Sequence, residues 1–284
     1  MFDKEAAERC IFPLGAGAYC TGSNLREDTT FDVAIPPELL TSQRIKDVLA
    51  FVTDKYLFYL FFGAPHHSEG VSHKISHTND LVALVLRLYQ KHPEYSLEDA
   101  VCLALAHDVA RALQGGFFNK HSDYATGTDH GLIGAEMYQR AFPDDHKVYA
   151  GILYHNKLEP NENNYLIELI QDVDRLAIYR RIFDTNGAES YQDYTGCSIS
   201  CEVLEDFSAG RLVHKAKVRS EADDWICSLS WIWIFKLEAA RQYLSEQQYP
   251  EKIVRYIVTK FHPTAAEAEI LHTTVKSWHK QYNV

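Results

Sequence analysis

The sequence lacks the patterns that mark several large classes of protein. None of its six cysteines forms a Cys-x-x-Cys pair or a zinc-ribbon spacing, so we expect reduced thiols rather than a disulfide framework. The glycine-rich stretch at residues 15–22 is not followed by Gly-Lys-Ser/Thr, which excludes a P-loop. Neither His-Glu-x-x-His nor Gly-x-Ser-x-Gly occurs, so the zincin and α/β-hydrolase classes lack support.

Long apolar runs and a basic balance are also missing. The most apolar segment, residues 225–235, is far shorter than the roughly 20 residues of a membrane span and predicts a buried helix. A net charge of −11 argues against a nucleic acid polymer or an anionic membrane as partner. The N-terminus has no basic region followed by an apolar stretch, so we expect no signal peptide and a cytoplasmic protein. The sequence does not indicate which oligomeric state the protein has.

Helical periodicity dominates the chain beyond an irregular segment at residues 1–38, and strand alternation is scarce. The pattern predicts an all-α fold, a compact helical bundle with additional C-terminal helices. The predicted helices cover about residues 39–62, 72–91, 97–110, 130–141, 145–156, 163–183, 222–247, 249–260 and 264–280.

The helix that ends at His107 and Asp108 is the first indication of chemistry. Residues 100–106 are apolar on every face, which predicts burial. A carboxylate at the end of a buried helix is costly unless it is paired or bound to a metal. The alternative is an ordinary salt bridge beside a histidine that interacts with the helix dipole.

Four other helices also direct a histidine or carboxylate along an apolar face. His77 extends the stripe of residues 81, 84, 85 and 88 by one turn, and His130 and His155 share the phase of apolar residues in their own helices. In helix 163–183 the phase selects Asp174, and not Asp172, as the inward carboxylate. Five such coincidences predict a divalent metal site, although these residue types do not distinguish between Mn, Fe, Co, Ni, Zn and Mg.

These motifs resemble those of the HD-domain superfamily of metal-dependent phosphohydrolases. The family order of His, His-Asp and a distant Asp is matched by SHKISHTND, LALAHDVAR and QDVDRL, and HGLIGAEM and YHNK are similar to its auxiliary histidine motifs. The resemblance covers about residues 70–183, within a predicted HD-type domain at 39–247 to which helices at 248–284 also belong. Asn79-Asp80-Leu81 departs from the family, which often has a basic residue and a valine after the first histidine.

The resemblance implies a set of roles for the matched residues. It implies that His77, His107, Asp108 and Asp174 bind a catalytic metal, and that Asp108 also orients the attacking water. His130 and His155 would bind a second metal or the substrate phosphate. The implied reaction is hydrolysis of a phosphate ester by a metal-activated water.

The substrate is expected to be a small phosphorylated molecule, for which a nucleotide is one candidate. Arg111 would contact phosphate or form a salt bridge, and Arg175 would contact phosphate or clamp the bundle. Lys120, in the polar loop at 111–129, is a further candidate contact. Two other functions stay open: a di-iron oxygenase, since inositol oxygenase is similar in the order of its six ligands, and a non-catalytic binding module. The Asp-x-Asp-Arg-Leu context of Asp174 favours the hydrolase, and the intact ligand set argues against a non-catalytic module.

Overall fold

Helices make up nearly all of the regular structure. The computed structural model describes residues 35–62, 68–114, 123–160, 164–184 and 196–284, and these residues contain no strand, which confirms the all-α prediction. Most of the predicted irregular N-terminal segment and Lys120 lie outside the described residues. The α-helices are α1 (Gln43–Phe62), α2 (Ser68–Leu88), α3 (Leu97–Ala106), α4 (Val109–Leu113), α5 (Asp123–Thr126), α6 (His130–Ala141), α7 (His146–Tyr154), α8 (Tyr165–Asp184), α9 (Cys201–Ser208), α10 (Glu221–Leu229), α11 (Glu238–Glu246), α12 (Tyr249–Phe261) and α13 (Ala265–Tyr282).

The chain divides into two compact units. The first ends at Gln171, and the second comprises Asp172–Val284. The boundary falls within α8, a division that the sequence did not predict. The first unit contains α1 to α7 and the start of α8, and the second contains the rest of α8 and α9 to α13.

Helix α3 begins with a capping box and ends at a sharp turn. The Ser96 hydroxyl accepts from the Asp99 amide, and the Asp99 carboxylate accepts from the Ser96 amide. All residues from 99 to 106 are buried, as the apolar pattern predicted. At Asp108 the backbone leaves the helical region, with φ −104° and ψ 17°, so the predicted helix 97–110 is two helices. His107 and Asp108 therefore occupy the corner between α3 and α4.

Two glycines allow close helix packing around this corner. A Cβ atom on Gly151 of α7 would lie 2.5 Å from Leu103 Cδ2 of α3. A Cβ atom on Gly131 of α6 would lie 2.8 Å from Asn156 Oδ1, just beyond α7. These approaches bring together the end of α3, the start of α6 and the end of α7.

In the second unit, the predicted helix 222–247 is interrupted in its middle. Helix α10 is followed by a 3-10 turn at Ser230–Ile234, and α11 begins only at Glu238. The amides of Lys236 and Leu237, just before α11, donate to the Asp172 carboxylate at 2.9 and 2.8 Å. The apolar run at 225–235 is therefore part α-helix and part 3-10 turn. Helix α9 was not predicted.

None of the described helices combines the length and the apolar character that crossing a membrane requires.

Candidate metal centre

Four histidine rings form a row inside the first unit. Ring centroids are 5.6 Å apart for His77 and His107, 5.3 Å for His107 and His155, and 4.7 Å for His155 and His130. All four residues are buried. Helix α2 supplies the first ring, and the ends of α3 and α7 and the start of α6 supply the others.

His107 and His155 are held in the same way. Each follows the last residue of its helix, and its Nδ1 lies near the carbonyl oxygen three residues earlier, at 2.9 Å from Ala104 and 2.6 Å from Ile152. A carbonyl oxygen only accepts hydrogen bonds, so Nδ1 must carry the proton. In the neutral ring the lone pair is then on Nε2, the nitrogen left to bind a metal.

His130 reaches the same tautomer through a side chain. Its Nδ1 lies 2.7 and 2.9 Å from the two carboxylate oxygens of Asp123, which also accept only. Burial acts to lower the pKa of His130, but its contacts with Asp108 and Asp123 outweigh burial and raise it. The Nε2 atom of His130 again points away from the group that orients the ring, here the Asp123 carboxylate.

These Nε2 atoms converge on one carboxylate oxygen. The Nε2 atoms of His130 and His155 are 2.8 Å apart, and they lie 3.3 and 3.6 Å from Asp108 Oδ1. With both Nδ1 atoms protonated, two neutral rings would direct lone pairs at each other and at an anion. A proton or a metal ion removes this repulsion. Imidazole nitrogen with carboxylate oxygen is a ligand set suited to divalent transition metals, so the residues present fit such an ion.

The second carboxylate oxygen of Asp108, Oδ2, faces Lys74 and His107. It lies 2.9 Å from Lys74 Nζ and 3.6 Å from His107 Nε2. Burial acts to raise the pKa of Asp108, but the charge of Lys74 and the neighbouring histidines hold the pKa well below its ordinary value. The carboxylate therefore stays ionised, with Oδ2 toward His107 and Oδ1 toward His130 and His155.

The comparison with known families agrees with this geometry. The sequence model of the HD domain matches residues 75–182. The chain contains an HD domain. HD domains bind divalent metals, and the family consists generally of metal-dependent hydrolases. No curated protein and no solved structure matched the chain.

The burial of the two aspartates in α8, Asp172 and Asp174, differs from the helical-phase prediction. Asp172, expected to face outward, is fully buried, and its carboxylate accepts from two amides that precede α11. Burial raises its pKa to about 7. Asp174 is half-buried and lies in the second unit, so its role as a metal ligand stays a prediction.

The predicted substrate contacts have different surroundings. Arg111 donates from Nη1 to Asp123 Oδ1 at 3.1 Å, and its Nε lies 3.6 Å from Asp108 Oδ1. Its guanidinium is thus ion-paired, and it lies beside Asp108. Arg175 is largely buried, 3.5 Å from Asp172, and burial lowers its pKa. This ion pair favours the clamping alternative for Arg175.

Sequence reasoning missed two charged residues that contact this cluster, Lys74 at Asp108 and Asp123 at His130. Lys74 lies three residues before His77, so helical periodicity placed both on one face and was a usable signal. Asp123 follows a stretch of sequence without helical periodicity, and no regular spacing linked it to His130. Its role is visible only once α5 and α6 are placed.

Proposed function

We propose that the chain is a metal-dependent phosphohydrolase that cleaves a phosphate ester of a nucleotide or another small phosphorylated metabolite. The observation that carries the proposal is the convergence of the Asp108 carboxylate with the Nε2 atoms of His130 and His155 inside an HD domain. The anchoring of each Nδ1 supports a site shaped for a cation rather than a chance cluster of core histidines.

The proposed ligands of the first unit lie around Asp108. His107 lies on the side of Oδ2, with His77 next to it in the row, and His130 and His155 lie on the side of Oδ1. A divalent ion bound here would lower the pKa of a coordinated water and neutralise charge on phosphoryl oxygens. The shared carboxylate is compatible with one ion or two.

Two cations beside Asp108 complete the proposed site. Lys74 and Arg111 approach the carboxylate from its two oxygens, and both side chains are mostly buried. A phosphate ester at the centre would take hydrogen bonds from them, and the guanidinium fork of Arg111 suits two phosphoryl oxygens. This local positive charge allows an anionic substrate despite the net charge of −11. Asp108 would accept a proton from the attacking water and orient it.

The proposal is tested by metal analysis of protein purified without chelator, combined with a phosphate-release screen over nucleotides and sugar phosphates. We expect bound divalent metal and release of phosphate that stops on chelation. His130→Ala and His155→Ala should reduce turnover far more than helical content. Full turnover in both variants would remove these histidines from the site.

A di-iron oxygenase is the second candidate, because histidines approach both oxygens of one carboxylate, His107 at Oδ2 and His130 and His155 at Oδ1. The two functions differ in their need for oxygen. A hydrolase should release phosphate anaerobically when supplied with Mn, Co or Ni. An oxygenase should require iron and consume oxygen only together with its substrate, and oxygen uptake coupled to product formation would replace the hydrolase proposal.

A further inference from the structure

Asp123 is the point at which the metal centre meets the candidate phosphate contact. Its carboxylate contacts His130 Nδ1 and accepts from Arg111 Nη1 at 3.1 Å, and it also accepts from the side-chain amides of Gln114 at 2.9 Å and Asn156 at 3.2 Å. Every one of these partners presents a donor. The side chain is one-third exposed, and one carboxylate thus joins α4, α6 and the end of α7.

We propose that Asp123 is a positioning residue that fixes His130 as an Nε2 ligand and holds Arg111 beside Asp108, so that binding of the metal ion and of phosphate are linked. The phosphate half of this inference rests on the proposed function, and the metal half rests only on the HD-domain centre.

The chemistry of the carboxylate explains why this position needs an acid. A carboxylate accepts on both oxygens, so it serves His130 and Arg111 at once without offering a hydrogen of its own. An amide has one accepting oxygen and one donating nitrogen. If the amide nitrogen faces His130, the ring must accept on Nδ1 and carry its proton on Nε2, the atom meant for the metal. If it faces Arg111, two donors meet.

A neighbouring carboxylate provides a matched control. Asp129 precedes α6 and caps it, accepting from the amides of Gly131 and Leu132, and it also pairs with Lys157. Its bonds go to the helix start and to the chain after α7, and Asn is as good a cap as Asp. Asp129→Asn therefore makes the same change of charge next to the same histidine while keeping the cap.

The first experiment reads the tautomer of His130 directly. Full-length protein with ¹⁵N-labelled histidine is loaded with Zn²⁺, and the ring nitrogens are observed by long-range ¹H–¹⁵N correlation, with His130 assigned by its loss in His130→Gln. We expect a protonated Nδ1 in wild type and in Asp129→Asn. In Asp123→Asn we expect Nε2 to have released Zn²⁺ and to carry the proton instead, and Asp123→Glu, which again only accepts, should restore the wild-type pattern.

The second experiment measures the linkage by binding alone. Zn²⁺ is titrated against a competing chelator, and the ion in question is the one that His155→Ala removes. Asp123→Asn should weaken that ion by about 10–100-fold, the range for loss of an outer partner of a ligating histidine. Inorganic phosphate titrated calorimetrically into the Zn²⁺-loaded protein should bind on the order of tenfold more weakly in Asp123→Asn. Adding Arg111→Gln to Asp123→Asn should weaken phosphate binding little further.

The outcomes separate the inference from the proposed function. Wild type that binds no divalent ion would overturn both. Wild type that binds Zn²⁺, with an unchanged His130 tautomer and unchanged affinity in Asp123→Asn, would overturn the role of Asp123 alone. Normal Zn²⁺ linkage without any phosphate binding would keep the metal half and overturn both the phosphate half and the phosphohydrolase proposal.

Discussion

Replacing Asp108 with Asn removes a negative charge that His107, His130 and His155 all approach. The amide keeps the size of the side chain. Its nitrogen, however, would face either the ammonium group of Lys74, which is also a donor, or the histidine Nε2 atoms that are proposed to bind the metal ion. The carboxylate pairs with Lys74 at 2.9 Å, and the two side chains are only 6% and 15% exposed. Breaking a buried pair by removing one partner costs about 3–5 kcal/mol, and we expect about 3 kcal/mol because the amide oxygen still accepts from Lys74. For a chain of this size that lowers the Tm by roughly 6–12 °C.

Metal binding should separate this loss of stability from the loss of function. An ion present at a thousandfold excess over its Kd stabilises the folded state by about 4 kcal/mol, which raises the Tm by roughly 8–16 °C. We expect that increase in wild type and little of it in Asp108→Asn. Turnover should fall by at least about 10²–10⁴-fold, because a ligand and a proton acceptor are lost together.

The assay compares the Tm with and without Mn²⁺, bound metal and turnover on the same preparations. Asp99→Asn is the matched control: Asp99 is a buried carboxylate in the first turn of α3, at the end of that helix away from His107, and it pairs with Arg44 at 2.6 Å. It should lose comparable stability yet keep its metal response and its turnover per folded molecule. Normal metal content with normal turnover in Asp108→Asn would refute the centre and leave a salt bridge in its place.

Three further predictions address other features. Arg111→Lys replaces a planar fork by a point charge, so the KM for a phosphate ester should rise about tenfold with metal content unchanged in steady-state kinetics and metal analysis; an unchanged KM would count against a phosphate contact. Asp172 has a pKa of about 7, so the folded chain keeps a proton that the unfolded chain releases above about pH 4, and stability should fall as the pH rises from about 4 to 7. Urea unfolding of Asp172→Asn should show that decline flattened, whereas an identical decline in the variant would assign it to other groups. Gly151→Ala forces a Cβ atom against Leu103 and should cost about 1–3 kcal/mol in the same assay, and a neutral result would mean that α3 and α7 separate easily.

The apolar periodicity was enough to predict most of the helices and the position of the histidines. The stripe that ends at Leu88 and the apolar run before His107 both form buried helix faces. Local patterns succeed here because burial of a helix face is decided within a few turns. The same argument missed the break at Asp108, since residues 107–110 carry no glycine or proline to mark a turn.

Contacts between distant parts of the chain account for the remaining differences. Asp172 was assigned to the outer face from its helical phase, but it is buried because amides 64 and 65 residues later in the chain donate to it. Asp123 follows a stretch of sequence that shows no periodicity. Residues of this kind are placed by tertiary structure, and a single sequence has no local signal for them.

The anchors of the histidine rings also differ in how easily mutation can remove them. His107 and His155 are oriented by main-chain carbonyl oxygens, which every amino acid at positions 104 and 152 would supply. His130 depends on one side chain, that of Asp123. The orientation of His107 and His155 thus tolerates substitution at the positions that hold their rings. The orientation of His130 can be changed by substitution at the single position 123. A lineage could thereby adjust the His130 side of the site, and with it the number of ions held, without disturbing the rest.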